Sequence, residues 1–237
     1  MEAIWHGFTH ATEWLTSTTA APTDIRLALT LIVGSLLSLW RPADKVVTVA
    51  HEGGHALAAL VTRRPVLGVQ INSDGSGATY TRGRLGGLGS ALVTFAGYPF
   101  PGIVGAGLII VAVSGHSRSG VAVIAVALLA MLWRTRNLHG WLVIGLCLAG
   151  VSYAAWALPS EPLALAMAGL GALLLVGAGR DLLRERQWRR SGRSDSDISI
   201  LGGRGLPASL WWTVMVGVVV GSGWLAWEQV TQEYLSI

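Results

Sequence analysis

The stretch VVTVAHEGGHALAALVTRR (residues 46–64) decides how this chain reads. It is a run of Val, Ala and Leu, closed by two arginines, with two histidines and a glutamate in its middle. On a helix, His51 and His55 are four residues apart and share a face. Two neutral imidazoles at that spacing can bind one divalent ion while the helix stays intact. Glu52, beside the first, can reach a water held there and act as general base. This is the H-E-x-x-H arrangement of helical zinc sites. Gly53 and Gly54 between the histidines are poor helix formers and let another backbone or a substrate come close.

Composition sets the surroundings of this run. Of 237 residues, 52% are hydrophobic and 13% charged, whereas a soluble domain carries about 25% charged residues. The charges gather in short clusters between long apolar runs, which is the pattern of a polytopic membrane protein. The net charge of +4 does not indicate nucleic acid, because the basic residues flank apolar runs, where they set topology. Lys45 is the only lysine among 17 basic residues, a bias that suggests a GC-rich bacterial genome and hence a bacterial inner membrane. Cys147, the single cysteine, can form no internal disulfide and reads as a small hydrophobe. Residues 1–24 read as an interfacial amphipathic segment with Trp5, Phe8, Trp14 and Leu15 on its apolar side. They do not read as a signal peptide.

A spanning helix needs about 20 apolar residues. Seven stretches approach or meet that length: 25–40, 44–62, 85–115, 120–133, 138–158, 162–183 and 208–227. The third is interrupted by Pro99 and Pro101. The expected fold is therefore an all-α polytopic membrane protein of about six to seven transmembrane helices. It divides into the interfacial segment 1–24, a transmembrane domain 25–230 and a short tail 231–237. Inside the domain, PVLGVQINSDGSGATYTRG (65–83) alternates Leu67, Val69 and Ile71, turns at Asp74-Gly75, and resumes at Thr79 and Tyr80, which predicts a β-hairpin. Its edge could accept an extended peptide as an added strand; a plain connecting hairpin fits the same pattern.

The segment 184–206 begins RERQWRRSGR, the most basic stretch of the chain, and is expected to be a cytoplasmic loop. Arg63, Arg64, Arg82, Arg84, Arg134 and Arg136 fall on the same side, while Arg41, Lys45 and Arg118 fall on the other. In this arrangement the histidine helix crosses the bilayer, with His55 about 12 Å from its cytoplasmic end at 1.5 Å per residue. An ionisable group at mid-membrane costs about 2.5–3.5 kcal/mol. Three within five residues need a compensating partner, and a divalent cation supplies one.

Several stretches together carry a family resemblance. AHEGGHALAALVTRRPVLGVQI pairs the H-E-x-x-H helix with a hairpin. FAGYPFPGIVGAG contains a Gly-Tyr-x-x-Pro-Gly stretch. GRDLL is followed by SDSDISILGGRGLPASLW. In these the chain resembles the site-2 protease class of intramembrane zinc metalloproteases, within it the compact M50B-like bacterial branch. The resemblance covers about residues 44–212. It implies one Zn2+ per chain, held by His51, His55 and an aspartate from a later helix, with Glu52 as the catalytic base. The Asn-Pro-Asp-Gly or Leu-Asp-Gly motif that carries the aspartate in many members is missing. Asp181, at the end of the sixth span, is the first choice for that ligand, and it could instead pair with Arg180 or Arg184. Asp197 is the alternative, and it could instead cap a helix or face solvent. Asp74 is a turn residue. His6, His10, His116 and His139 are surface or interfacial residues. The resemblance also implies a transmembrane protein substrate, such as a membrane-tethered regulator, cut within or near its span. Val69 and Ile71 of the hairpin would bind the unwound strand, and Tyr98 at the proline break would shape the gate. The rival readings are a catalytically silent membrane scaffold and an ion- or proton-coupled transporter that uses the polar helix as an ion site.

Overall fold

The computed structural model describes residues 12–14, 16, 24–83, 86–192 and 196–235. Trp5, Phe8 and Leu15 of the expected interfacial segment lie outside the described residues, as do His6, His10 and Arg84. The helices are α1 (Asp24–Leu37), α2 (Arg41–Val61), α3 (Gly87–Ala96), α4 (Pro99–Val113), α5 (Ser117–Arg134), α6 (Leu138–Ala157), α7 (Ser160–Arg190), α8 (Asp197–Gly202) and α9 (Ala208–Leu235), and one antiparallel hairpin, β1 (Val66–Ile71) with β2 (Gly77–Thr81), follows α2.

Among the described residues α5, α6, α7 and α9 are long and apolar enough to cross a membrane. Two further pairs qualify only jointly. α1 and α2 meet at 93°, and α3 and α4 at 59°, so the count is four to six. The upper value meets the six to seven expected from the sequence, which shows the proline break of the third span but not the bend between the first two. Proline causes them: Pro42 sits in the first turn of α2, and Pro99 and Pro101 open α4. A proline there has no N–H to continue the preceding helix, and its ring clashes with the previous turn.

Close backbone contacts through small residues join the helices at the centre. A Cβ on Gly105 or Gly171 would lie 2.5 Å from the other's carbonyl oxygen, so α4 and α7 touch backbone to backbone. Gly34 of α1 meets the carbonyl of Gly169 in the same manner. In lipid, where burying apolar side chains gains little, such small-residue seams are what bind helices together. The outer faces remain apolar: Val123, Val126 and Leu129 of α5 and Leu142 and Leu146 of α6 are exposed.

The histidine helix does not run as the charge pattern suggests. Asp44, in the first turn of α2, pairs with Arg180 and, at 3.1 Å, with Arg184 of α7. Val47 packs against Gly177. The start of α2 therefore lies at the basic end of α7, on the side where the sequence places the segment 184–206, not opposite it. The far end of α2 leads into the hairpin, which folds back along the helix. Lys45 Nζ donates to Ser73 O at 2.8 Å, and Thr48 Oγ1 donates to Gly75 O at 2.8 Å. The right-angle bend after α1 lays α2 across that end of the bundle. The basic segment is also less of a loop than expected, because α7 continues to Arg190 and α8 occupies residues 197–202.

The hairpin corrects another expectation. Val69 and Ile71 are completely buried and pack with Val49, Ala59, Leu128 and Ile144, so their side chains are not presented to a substrate. The outer edge of β1 is also closed. Arg136 N–H donates to Val69 O at 2.9 Å, Asn137 Nδ2 donates to Ile71 O at 2.7 Å, and Arg136 Nη2 donates to Leu67 O at 2.7 Å. The turn is held by the N–H and hydroxyl of Ser76, both donating to Asp74 Oδ1 at 2.9 and 2.7 Å. These bonds keep the Asp74 carboxyl below the usual carboxylate range.

Candidate metal centre

His51 and His55 emerge from the same face of α2. Their Nε2 atoms are 3.1 Å apart. Asp197 Oδ2 lies 3.2 Å from Nε2 of His51 and 3.1 Å from Nε2 of His55. Three donor atoms thus form a nearly equilateral triangle. Ligands about 2.0–2.1 Å from a tetrahedral zinc stand roughly 3.3–3.4 Å apart, so the triangle is close to the size the ion requires.

The tautomer also suits a cation. His55 Nδ1 is 2.6 Å from Val93 O. A carbonyl only accepts, so Nδ1 carries the proton and a neutral His55 turns its Nε2 lone pair toward the other two atoms. A metal-binding imidazole characteristically donates its second N–H in this way. His55 Nε2 and the Asp197 carboxylate thus face His51 Nε2 as acceptors at about 3 Å, and a cation among the three atoms would satisfy them together.

Gly97, the residue that ends α3, supplies the space. A Cβ built there would lie 2.5 Å from Nε2 of His51 and 2.5 Å from Nε2 of His55. Its backbone is ordinary right-handed helix, φ −54° and ψ −62°, so no conformational demand accounts for glycine. The empty volume does. Tyr98 follows, and its ring packs edge-on against His51 with centroids 4.8 Å apart. It lies against His51 at the helix break and packs on the same apolar cluster as Ala91 and Phe95.

Glu52 is buried, 3% exposed. Among the described residues, one donor atom each of His51, Glu52 and His55 lie within 4.8 Å of one another. That is looser than the triangle with Asp197 and consistent with a group beside a metal more than on it. The hairpin holds it there. Thr79 Oγ1 donates to Glu52 Oε2 at 2.6 Å, and a Cβ on Gly77 would lie 2.5 Å from Oε1.

Asp197 reaches the histidines from the first residue of α8. Ser196, not Asp197, is the N-cap, its Oγ accepting from Ser199 N–H at 3.3 Å. Ile198 and Leu201 are fully buried against Ala178, Leu182 and Met215. Burial by itself would raise the Asp197 pKa, but the imidazoles of His51 and His55 beside it hold it below the usual carboxylate range. Asp181, the first choice from sequence, is placed differently. Its Oδ1 is 3.6 Å from both Arg180 and Arg184, within a cluster completed by Asp44, and Asp197 occupies the place beside the histidines.

The family model described as Peptidase M50B-like matches residues 24–226. The chain belongs to the Peptidase M50B-like family. As a member of this M50 family it is a site-2 protease-class membrane protein, and the matched region contains the bent helix pairs, the hairpin and all the residues described above. No curated protein and no solved structure matches the chain. Sequence reasoning missed three residues of the centre. Gly97 lay inside a quoted Gly-Tyr motif but had no assigned role, and Gly77 and Thr79 become visible only once the hairpin is laid along α2.

Proposed function

We propose that this chain is an intramembrane zinc endopeptidase that cuts a membrane protein within or near its transmembrane segment. The observation that carries the reading is the triangle of His51 Nε2, His55 Nε2 and Asp197 Oδ2 with the Glu52 carboxylate beside it. Those three atoms would hold one zinc ion, which when bound would polarise the scissile carbonyl and acidify the attacking water. Glu52 takes a proton from that water at a carboxylate oxygen and delivers it to the leaving amine. The Thr79 hydroxyl keeps the carboxylate oriented, so little reorganisation is needed as the proton moves. Gly97 leaves the space in which the reacting carbonyl can approach.

The substrate enters extended, because a helical peptide bond is shielded by its own backbone. The closed outer edge of β1 leaves β2, residues 77–81, as the edge for strand addition, and among the described residues no further strand pairs with it. A strand added there runs beside Thr79 and Glu52. The substrates are single-span proteins such as membrane-tethered regulators, in the bacterial inner membrane suggested by composition.

The test is cleavage of a co-expressed single-span substrate by wild type and Glu52→Gln, with zinc measured in both purified proteins. Zinc retained and cleavage abolished in the variant is the expected result. Cleavage that persists in Glu52→Gln refutes the assignment of Glu52 as base.

A further inference from the structure

Among the described residues Glu185 is a fully buried carboxylate, 0% exposed, that plays no part in the centre described above. It sits on α7, one turn beyond Asp181. Oε1 accepts from Ser196 Oγ at 2.9 Å. Arg189 Nε approaches the same oxygen at 2.7 Å, as a charge contact whose N–H is not aligned for a hydrogen bond. Oε2 has no partner. Glutamate is almost never fully buried without a role for its charge. If α7 needed only packing at this position, an apolar side chain of similar volume would serve it better.

The partner of that carboxylate explains it. Ser196 immediately precedes Asp197, which comes off the connection after α7 and not from a long spanning helix. Ile198 and Leu201 anchor the apolar side of α8, but apolar packing is non-directional and leaves rotation about the helix axis loosely defined. The bond from Ser196 Oγ to Glu185 Oε1 is directional and lies on the residue next to the ligand. We infer that Glu185 is a positioning residue which, through Ser196, sets Asp197 against His51 and His55. Arg189 Nε lies 2.7 Å from the same carboxylate oxygen. This inference rests on the metal reading above.

The experiment measures zinc affinity of the purified full chain by chelator competition, together with the visible spectrum of the Co2+-substituted protein. Glu185→Ala removes the tether and leaves the Ser196 cap intact. Ser196→Ala removes both. Each is expected to weaken zinc binding about 10- to 100-fold, the usual effect of losing an outer-shell partner, and to alter the cobalt spectrum as the carboxylate ligand loosens. Glu185→Gln and Ser196→Thr keep an acceptor and a hydroxyl, and both should bind zinc nearly as well as wild type. The double variant Glu185→Ala/Ser196→Ala should be no weaker than the worse single, because the two groups form one chain of contacts. Should Glu185→Ala fail to fold, Glu185→Leu, which fills the buried position, removes the acceptor and leaves the Ser196 cap intact, decides the matter. Zinc binding lost in Asp197→Ala but unchanged in Glu185→Ala or Ser196→Ala overturns this inference alone. A wild-type chain that binds no zinc overturns it together with the reading beneath it.

Discussion

Substituting Gly97 by alanine isolates the geometric requirement of the centre. An alanine Cβ would stand 2.5 Å from both Nε2 atoms, where ordinary contact begins near 3.4 Å, an overlap of 0.9 Å on each side. His55 cannot swing back without giving up its 2.6 Å bond to Val93 O, and His51 is backed by the Tyr98 ring. Overpacking of this kind costs about 1–3 kcal/mol. At 1.4 kcal/mol per decade that is roughly a 5- to 150-fold rise in the zinc Kd. The backbone gives no countervailing penalty, since φ −54° and ψ −62° suit alanine and alanine favours helix over glycine by about 1 kcal/mol. In the metal-free protein no ion fixes the two rings, and they can yield to the methyl, His55 at the expense of its bond to Val93 O. Zinc affinity should therefore fall while the thermal midpoint of the metal-stripped protein stays level or rises. The assay is competition with a chromophoric chelator, paired with a melting curve in excess chelator. An unchanged zinc Kd in Gly97→Ala would refute the placement of the ion beside Gly97, and a fall in affinity matched by an equal loss of metal-free stability would show a general packing defect instead.

Three further expectations follow from the same geometry. Thr79→Val removes the hydroxyl that orients Glu52; substrate cleavage should fall about tenfold or more, given that hydrogen bonds to charged groups contribute about 1.5–3 kcal/mol, with zinc content unchanged and activity restored by Thr79→Ser. A loss of zinc in Thr79→Val would mean that the hairpin supports the ligands and not the base. Asp197→Ala should strip zinc from the purified protein while Asp181→Ala keeps it, as metal analysis will show; the reverse outcome would make Asp181 the ligand. Asp44→Ala deprives the largely buried Arg180 guanidinium of its main partner, and Arg180 Nε and Nη1 already have no hydrogen-bond partner among the described residues; a loss of about 1–3 kcal/mol in stability, read as a lower thermal midpoint, is expected, and an unaltered midpoint would show that this cluster does not anchor α2.

The amino-acid sequence by itself determined the polytopic all-α class, the hairpin and its turn, and His51, Glu52 and His55 as one site. These are local properties. A four-residue spacing fixes a shared helix face, an Asp-Gly between alternating runs fixes a turn, and apolar length fixes a potential span. The tertiary structure decided what depends on contacts between distant segments. The choice between Asp181 and Asp197 could not be read locally, because both are acids near arginines in the stretch that ends and follows one span. It turns on which of them folding carries to α2, and the arginines of α7 engage the first while the buried Ile198 and Leu201 bring the second to the histidines. The direction of α2 was likewise hidden, since the positive-inside pattern assumes straight spans and a right-angle bend after α1 removes that premise. Val69 and Ile71 kept their alternation, but period two says only that they share a face; Val49, Ala59, Leu128 and Ile144 made that face part of the core, and residues 134–137 closed the strand's edge. The space at Gly97 belongs to no single segment: it exists because the end of α3 packs against two side chains of α2 that are 42 and 46 residues earlier in the chain.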